Sequence, residues 1–562
     1  MPNNFAAQER SSWRGLGLWN VYFIAKLMLY GAGYLNFHTF YNLVFAAVLL
    51  MPLPPLWLHR LRHIIAIPVG VALLYYDSWL PPFQRLLDQP EVLQFSGPYL
   101  LELLNRFINW NMLGAGLLLF VACLFLQQWV RVTVFSVTAL LLVSLPDHLS
   151  VRHVAMYFAA NPTAMDVQAQ PTPAANGTDS DGVAASPKSI TDILNDELAA
   201  FYAAEAERRT VFAPTSQAEL DFDIIFLNIC SVAWSDLASV QLDQHPLLKS
   251  MDVVFDEFNA ATSYSGPAVR RLLRASCGQT SHEDLYDAAP SECYLFEHLN
   301  QSGFQTAALL NHNGQFQDFI SDITQHESLP APAVPQKLSP RWTAFDGSPI
   351  WGDYDALNDW WQAHTPSDGP RALLYNSITL HDGNREATAD GGGRSSPYAS
   401  RGQAVLDDLL RFIQQLENSG RRVLVVLIPE HGAALEGDLM QISGMREIPT
   451  PEIAHVPVGL KLIGHAASAG GEAGNGETAG AGEMGPAPYR ISGPTSYLAL
   501  SELLARILRT PVFNTSAIDW DALTDDLPHT RAVSENSGTV MMEHNGAPYV
   551  RMGDRDWIQY RR

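Results

Sequence analysis

Cys230 ends the run Asp223-Ile-Ile-Phe-Leu-Asn-Ile-Cys230, and Glu430 and His431 end the run Arg422-Val-Leu-Val-Val-Leu-Ile-Pro-Glu-His-Gly432. In a buried parallel sheet, strands read as continuous apolar runs, and function collects where they end. Thiolate, carboxylate and imidazole together favour zinc over magnesium or calcium. Each residue also has a plain structural reading. A lone cysteine at a strand end is often a small buried hydrophobe, and a Glu-His pair after a strand is often solvated and hydrogen-bonded.

Ser265 follows Ala261-Thr-Ser-Tyr264 and opens a helical pattern, Ser265-Gly-Pro then Ala268-Val-Arg-Arg-Leu-Leu-Arg-Ala-Ser-Cys-Gly278. A serine cap, an early proline and a terminal glycine predict a helix with Ser265 as its N-cap. A helix N-terminus also offers free N–H groups to an anion, so a hydroxyl there, near a metal, is placed to attack phosphorus. His381, in Ser377-Ile-Thr-Leu-His-Asp-Gly-Asn384, is a candidate general acid or base. His312, in Asn311-His-Asn-Gly314, is a weaker candidate for substrate contact. Arg446, in Ser443-Gly-Met-Arg-Glu-Ile-Pro449, offers a bidentate partner for phosphate, against the plainer reading of an exposed arginine.

The elements that must position these residues follow a strand–helix alternation. The apolar runs at 372–375 and 423–428 alternate with helical patterns such as 404–413, which predicts an α/β domain with a mainly parallel sheet and flanking helices. At 562 residues the chain is too long for one core. Its net charge of -23 argues against a nucleic-acid partner. With 4 cysteines it is no disulfide scaffold.

The first 157 residues differ from the rest. Apolar runs at 16–35, 40–58, 64–80, 108–126 and 132–145 each approach the roughly 20 residues of a spanning helix, and no cleavable signal pattern precedes them. Arg10 and Arg14, Arg60 and Arg62, and Arg131 lie in alternate loops, which predicts five spans with the N-terminus inside and everything after Leu145 outside. Arg85 and Arg106 dissent, accompanied by Asp88, Glu91 and Glu102. A Pro/Ala/Gly/Thr/Asp-rich stretch at 158–188 reads as a flexible tether. Residues 189–562 form the outer domain, with a low-complexity insertion at 466–488. A free thiol outside the cytoplasm is exposed to oxidation. Cys277 and Cys293 lie in a segment where pairing is feasible and Cys123 falls in a span, so a thiolate on zinc is a good reason for Cys230 to survive.

The strand, the serine-led helix and the late Glu-His pair resemble the alkaline-phosphatase-like superfamily, and within it the membrane-anchored phosphoethanolamine transferases. More narrowly, Asn-Ile-Cys-Ser, Ala-Thr-Ser-Tyr-Ser-Gly-Pro, Leu-Leu-Arg-Ala-Ser-Cys-Gly-Gln-Thr-Ser, Leu-His-Asp-Gly-Asn, Pro-Glu-His-Gly and Val-Ser-Glu-Asn-Ser resemble the cellulose phosphoethanolamine transferases, the G subunits of bacterial cellulose-secretion systems. The resemblance spans nearly the whole chain. It implies Ser265 as nucleophile, one zinc per chain on Cys230, Ser265, Glu430 and His431, assistance from His381, Tyr264 and Arg446, and a Cys277–Cys293 disulfide. The implied donor is phosphatidylethanolamine and the implied acceptor a glucose 6-hydroxyl of cellulose. The implied setting is an inner membrane with a periplasmic catalytic domain beside cellulose synthase subunits. Cysteine in place of a carboxylate, and a single metal set, depart from the wider superfamily pattern. Two rival readings stand: a membrane-anchored phosphatase or sulfatase with water as acceptor, and a chiefly structural subunit of the synthase complex.

Overall fold

The apolar runs near the N-terminus fold as helices: α1 (Trp19–Gly31), α2 (Thr39–Leu50), α3 (Leu56–Asp77), then after α4 (Gly97–Phe107) the helices α5 (Trp110–Leu126) and α6 (Val132–Val143). The computed structural model describes residues 15–53, 56–79, 95–107, 110–144, 188–213, 220–324, 329–365, 369–389, 393–465, 487–515 and 517–561. The expected tether at 158–188 and insertion at 466–488 lie almost wholly outside these residues, as do Arg10, Arg14 and Arg85.

Among the described residues one helix, Trp57–Asp77 within α3, is long and apolar enough to cross a membrane. The second and third runs divide differently from the expectation. Met51, preceding Pro52, takes an extended ψ of 125° and ends α2, as a residue before proline should. Leu56–Leu58 therefore belong to α3, and Arg60 and Arg62 lie inside it instead of in a loop. Large apolar side chains such as Ile64, Ile67, Leu113, Leu117, Leu118 and Phe125 face outward. Inside this unit Lys26 Nζ pairs with Asp77 Oδ2 at 2.5 Å, and Asn42 donates to Asp77 at 2.7 Å. A neutralised, hydrogen-bonded pair is what allows two charges to sit among apolar helices.

The chain divides into two compact units, one comprising Met1–Pro82, Asn105–Pro187 and Arg561–Arg562, the other Phe83–Leu104 and Lys188–Tyr560. The second unit is built on seven strands: β1 (Asp223–Ile229), β2 (Val253–Phe258), β3 (Gln305–Leu310), β4 (Arg371–Ser377), β5 (Val423–Leu427), β6 (Gly459–Ile463) and β7 (Tyr489–Thr495). Their order is β7-β2-β6-β5-β1-β4-β3. Only β6 runs antiparallel to its neighbours, so the sheet is mainly parallel, as the alternation predicted.

All seven side chains of β1 are buried, because side chains alternate between two covered faces. Ile224 and Phe226 join the core beneath the helix Tyr497–Arg509. Ile225, Leu227 and Ile229 join the opposite core, beneath Asp353–Gln362 and Tyr398–Glu417. The helix Ile190–Ala206 starts at Ser189 with a reciprocal capping box to Asp192. It packs on a second, antiparallel sheet of β8 (Val533–Asn536), β9 (Thr539–His544), β10 (Ala547–Met552) and β11 (Ile558–Gln559).

Candidate active site

Three adjacent parallel strands, β4, β1 and β5, carry the key residues off the same edge of the sheet. Ile229 pairs in register with Ser377, and Leu227 with Leu427. Cys230 N–H bonds Ser377 O and Glu430 N–H bonds Ile229 O, so the residues just past the strands are still sheet-anchored. The chain then turns sharply: Ser231 (φ 63°) follows Cys230, and Ala434 (φ 57°) follows His431 by three residues. Such conformations cost about 1–3 kcal/mol each in a non-glycine residue and persist where the surroundings impose them.

Cys230, Glu430 and His431 are all buried. Cys230 Sγ lies 3.9 Å from His431 Nε2, and His431 Nε2 lies 3.8 Å from Glu430 Oε2. Ser265 Oγ is 3.5 Å from both Cys230 Sγ and His431 Nε2. Tetrahedral zinc, with bonds of about 2.0–2.3 Å, sets its ligands roughly 3.3–3.8 Å apart, so the four side chains fit such an ion. Glu430 Oε2 has no hydrogen-bond partner although fully buried, and an orphaned carboxylate oxygen is costly unless a cation meets it.

The electrostatics agree. Burial, then Glu430, push the Cys230 thiol up to about 12. Burial raises Glu430 and drives His431 well below the ordinary histidine value. Burial thus shifts all three toward their neutral forms, a bias that a divalent cation would offset. His431 Nδ1 sits 2.9 Å from Gly432 O, which orients Nε2 toward the cluster.

A layer behind these groups was not anticipated from the sequence. Asn376, on β4, donates to Glu430 Oε1 at 2.5 Å and to Asn228 Oδ1, on β1, at 2.8 Å. His312 Nδ1 accepts from Gly314 N–H at 3.1 Å, so its Nε2–H donates to Asn376 Oδ1 at 3.0 Å. Both nitrogens are thereby engaged, and His312, with its pKa lowered by burial to about 4, supports Asn376 although it also lines the cleft. The available signal was two asparagines inside otherwise apolar strands.

Ser265 is the first residue of its helix, Ser265–Leu273, and Tyr264 occupies the N-cap position. The serine-cap expectation is therefore corrected by one residue, and the Ser265 hydroxyl points to the cluster instead of capping. The turn is held by Asn536 on β8. It donates to Ser263 Oγ (2.7 Å), Arg446 O (3.1 Å) and Glu447 O (3.0 Å), and accepts from Thr262 Oγ1 (3.0 Å). This explains why the second sheet carries the Val-Ser-Glu-Asn-Ser motif. Arg446 Nη1 reaches Ser231 Oγ at 3.3 Å, and its guanidinium lies 5.9 Å from the Tyr264 ring centroid.

Tyr264, Ser265, His381 and Arg446 open into one cleft of about 190 Å³, whose other walls include Phe95, Phe316, Phe345 and Asp322. Burial and the Arg446 guanidinium lower His381 to about 4, and its Nδ1 is 2.9 Å from Asp382 O. Tyr99 Oη donates to Asp382 at 3.0 Å, which ties the 95–104 segment to the histidine's loop. Cys277 and Cys293 form a disulfide, while Cys230 and Cys123 are free.

The family description "Cellulose biosynthesis protein BcsG C-terminal domain" matches residues 178–557, and the corresponding N-terminal domain matches residues 19–145. The chain belongs to the BcsG cellulose biosynthesis family. A family member from Escherichia coli (strain K12) is 43% identical over 559 residues, covering 98% of this chain and 97% of that one. Among solved structures, an alkaline phosphatase superfamily protein from Vibrio parahaemolyticus is similar at a TM-score of 0.44 and 10% identity, covering 65% of this chain and 87% of its own. The lipooligosaccharide phosphoethanolamine transferase A of Neisseria meningitidis is similar at a TM-score of 0.40 and 11% identity, covering 88% and 94%.

Proposed function

We propose that the protein is a zinc-dependent transferase that moves phosphoethanolamine from phosphatidylethanolamine to glucose 6-hydroxyls of nascent cellulose. The observation that carries this reading is the Ser265 hydroxyl. It caps nothing, begins a helix, and lies 3.5 Å from two members of a buried thiol–imidazole–carboxylate cluster. Family membership supports the cellulose acceptor. Cys230, Ser265, Glu430 and His431 hold one zinc, which when bound lowers the pKa of the serine hydroxyl and offsets charge on the phosphoryl oxygens.

The chain's own residues do the rest. Ser265 Oγ attacks the phosphorus; an Oγ–P bond forms as the bond from phosphorus to the diacylglycerol oxygen breaks. The proton that Ser265 loses passes to the diacylglycerol oxygen as it departs. Arg446 and the free N–H groups at the helix start meet the phosphoryl oxygens, and Tyr264 flanks them. His381, neutral at neutral pH, takes the proton of the acceptor hydroxyl as that oxygen attacks the phosphoserine; the Oγ–P bond breaks and the proton returns to the freed Ser265 Oγ. The outward apolar side chains of residues 18–142 support an inner-membrane anchor, with the catalytic unit on the periplasmic face near the synthase subunits.

Intact-mass measurement after incubation with phosphatidylethanolamine tests the reading directly. A phosphoethanolamine adduct should map to Ser265, and Ser265→Ala should abolish both adduct and transfer. An adduct on Ser263 or Thr262, or wild-type turnover by Ser265→Ala, overturns the mechanism.

A further inference from the structure

Asp322 is the one carboxylate among the described residues that line the cleft. It comes from the short helix Phe319–Thr324, which packs beside the Ser265–Leu273 helix. Arg270 Nε donates to Asp322 Oδ1 at 2.7 Å, and the pair is largely buried. The other oxygen, Oδ2, lies where a side chain at position 266 would begin, 2.5 Å from an ideal Cβ there. Gly266 therefore leaves room for this carboxylate beside the residue next to Ser265.

The cleft is lined by charged groups of both signs. Arg446, the helix N-terminus and the metal-ligand cluster are all suited to a phosphoryl group. Beside Gly266 is the Asp322 carboxylate, with one oxygen held by Arg270 and Phe316 and Phe319 also lining the cleft. Asp322 Oδ2 lies against Gly266, the residue next to Ser265, and Ser265 and Asp322 line the same cleft, so a phosphoryl group on Ser265 and a cation at the carboxylate would be neighbours. Burial raises the Asp322 carboxyl even with Arg270 beside it, and a second cation would offset that desolvation.

We propose that Asp322 receives the ammonium group of the donor's ethanolamine, fixed in place by Arg270 and admitted by Gly266, and so selects an amine-bearing headgroup. This inference rests on the phosphoethanolamine-transfer reading and names the residue that distinguishes that headgroup from a neutral one of similar size. A charge-assisted hydrogen bond from ammonium to carboxylate is among the stronger polar contacts available in a partly buried cleft.

The test uses the full chain in mixed micelles, with diacylglycerol release measured from phosphatidylethanolamine and from phosphatidylglycerol. Wild type should prefer the ethanolamine lipid. Asp322→Asn should raise KM for that lipid at least tenfold, leave the glycerol lipid nearly unchanged, and retain zinc. Arg270→Gln loosens the carboxylate's position yet keeps its charge, so it should shrink the preference less than Asp322→Asn does, and a larger loss than Asp322→Asn gives would overturn the assignment to Asp322. If Asp322→Asn fails to fold, Asp322→Glu keeps the charge opposite Arg270 while displacing the carboxylate, and the preference should still shrink. A folded Asp322→Asn, or failing that Asp322→Glu, that keeps the wild-type preference overturns the assignment. So does an equal loss on both lipids. Absence of release from either lipid by wild type instead overturns the underlying transfer reading.

Discussion

Asn376 accounts for how a thiol, a carboxylate and an imidazole share a dry pocket. It fixes one oxygen of Glu430 and leaves the other without a partner, aimed at the space between Cys230 and His431. Groups that orient metal ligands typically matter by 10–100-fold in affinity or activity. Asn376→Ala should therefore weaken zinc retention against a chelator by about that factor, as read by metal analysis of chelator-titrated protein. Cys230→Ala or His431→Ala should lose most of the metal outright, and unchanged occupancy in either removes that residue from the ligand set. Cys230, Glu430 and His431 were legible as strand-end residues of types that suit a metal, and the structure brings them together. Asn228 and Asn376 were not assigned, because their meaning depends on register: they face each other across β1 and β4, 148 positions apart in sequence.

At the scale of elements, the parallel strands and their helices were legible from apolar runs and helical spacing, while helix starts were legible only to within a residue. Ser265 reads as a cap because Ser-x-Pro commonly is one. Asn536, a residue 271 positions later, holds the preceding turn and shifts the boundary. The same helix is followed directly by the Cys277–Cys293 crosslink, which spans 16 positions. Closing a loop of that length removes unfolded-state entropy nominally worth about 3 kcal/mol. A Cys277→Ala/Cys293→Ala protein should lose stability of that order in denaturant unfolding while retaining zinc, because Cys230 stays outside the crosslink. An unchanged midpoint would show that the disulfide contributes little to the folded state. Free thiols at both positions in a non-reduced digest would show that it does not form.

At the scale of the whole molecule, topology is the least legible feature and the most exposed to test. A helix rises about 1.5 Å per residue, so α3, with 22 residues, reaches the roughly 30 Å of a bilayer core. The others have 12 to 17 residues in α1, α2, α5 and α6 and fall short by themselves. Composition could not show that Lys26 meets Asp77 across 51 positions, since that pairing exists only when α1 and α3 fold together. The five-span proposal rests instead on the basic residues. Arg60 and Arg62 stand in the first turns of α3 and Arg131 at the start of α6, so both helices would begin on the cytoplasmic side, where Lys and Arg accumulate. On that count the chain after α6 would be outside, the side on which the proposed lipid donor and glucan acceptor would meet Ser265. A reporter that is active only after export, fused just after Lys188, should be active, and a cytoplasm-dependent reporter at the same position silent. The reverse pattern would require an even number of crossings. It would place the catalytic unit in the cytoplasm and remove the physical reason for the proposed pairing of a membrane anchor with transfer to an exported polymer.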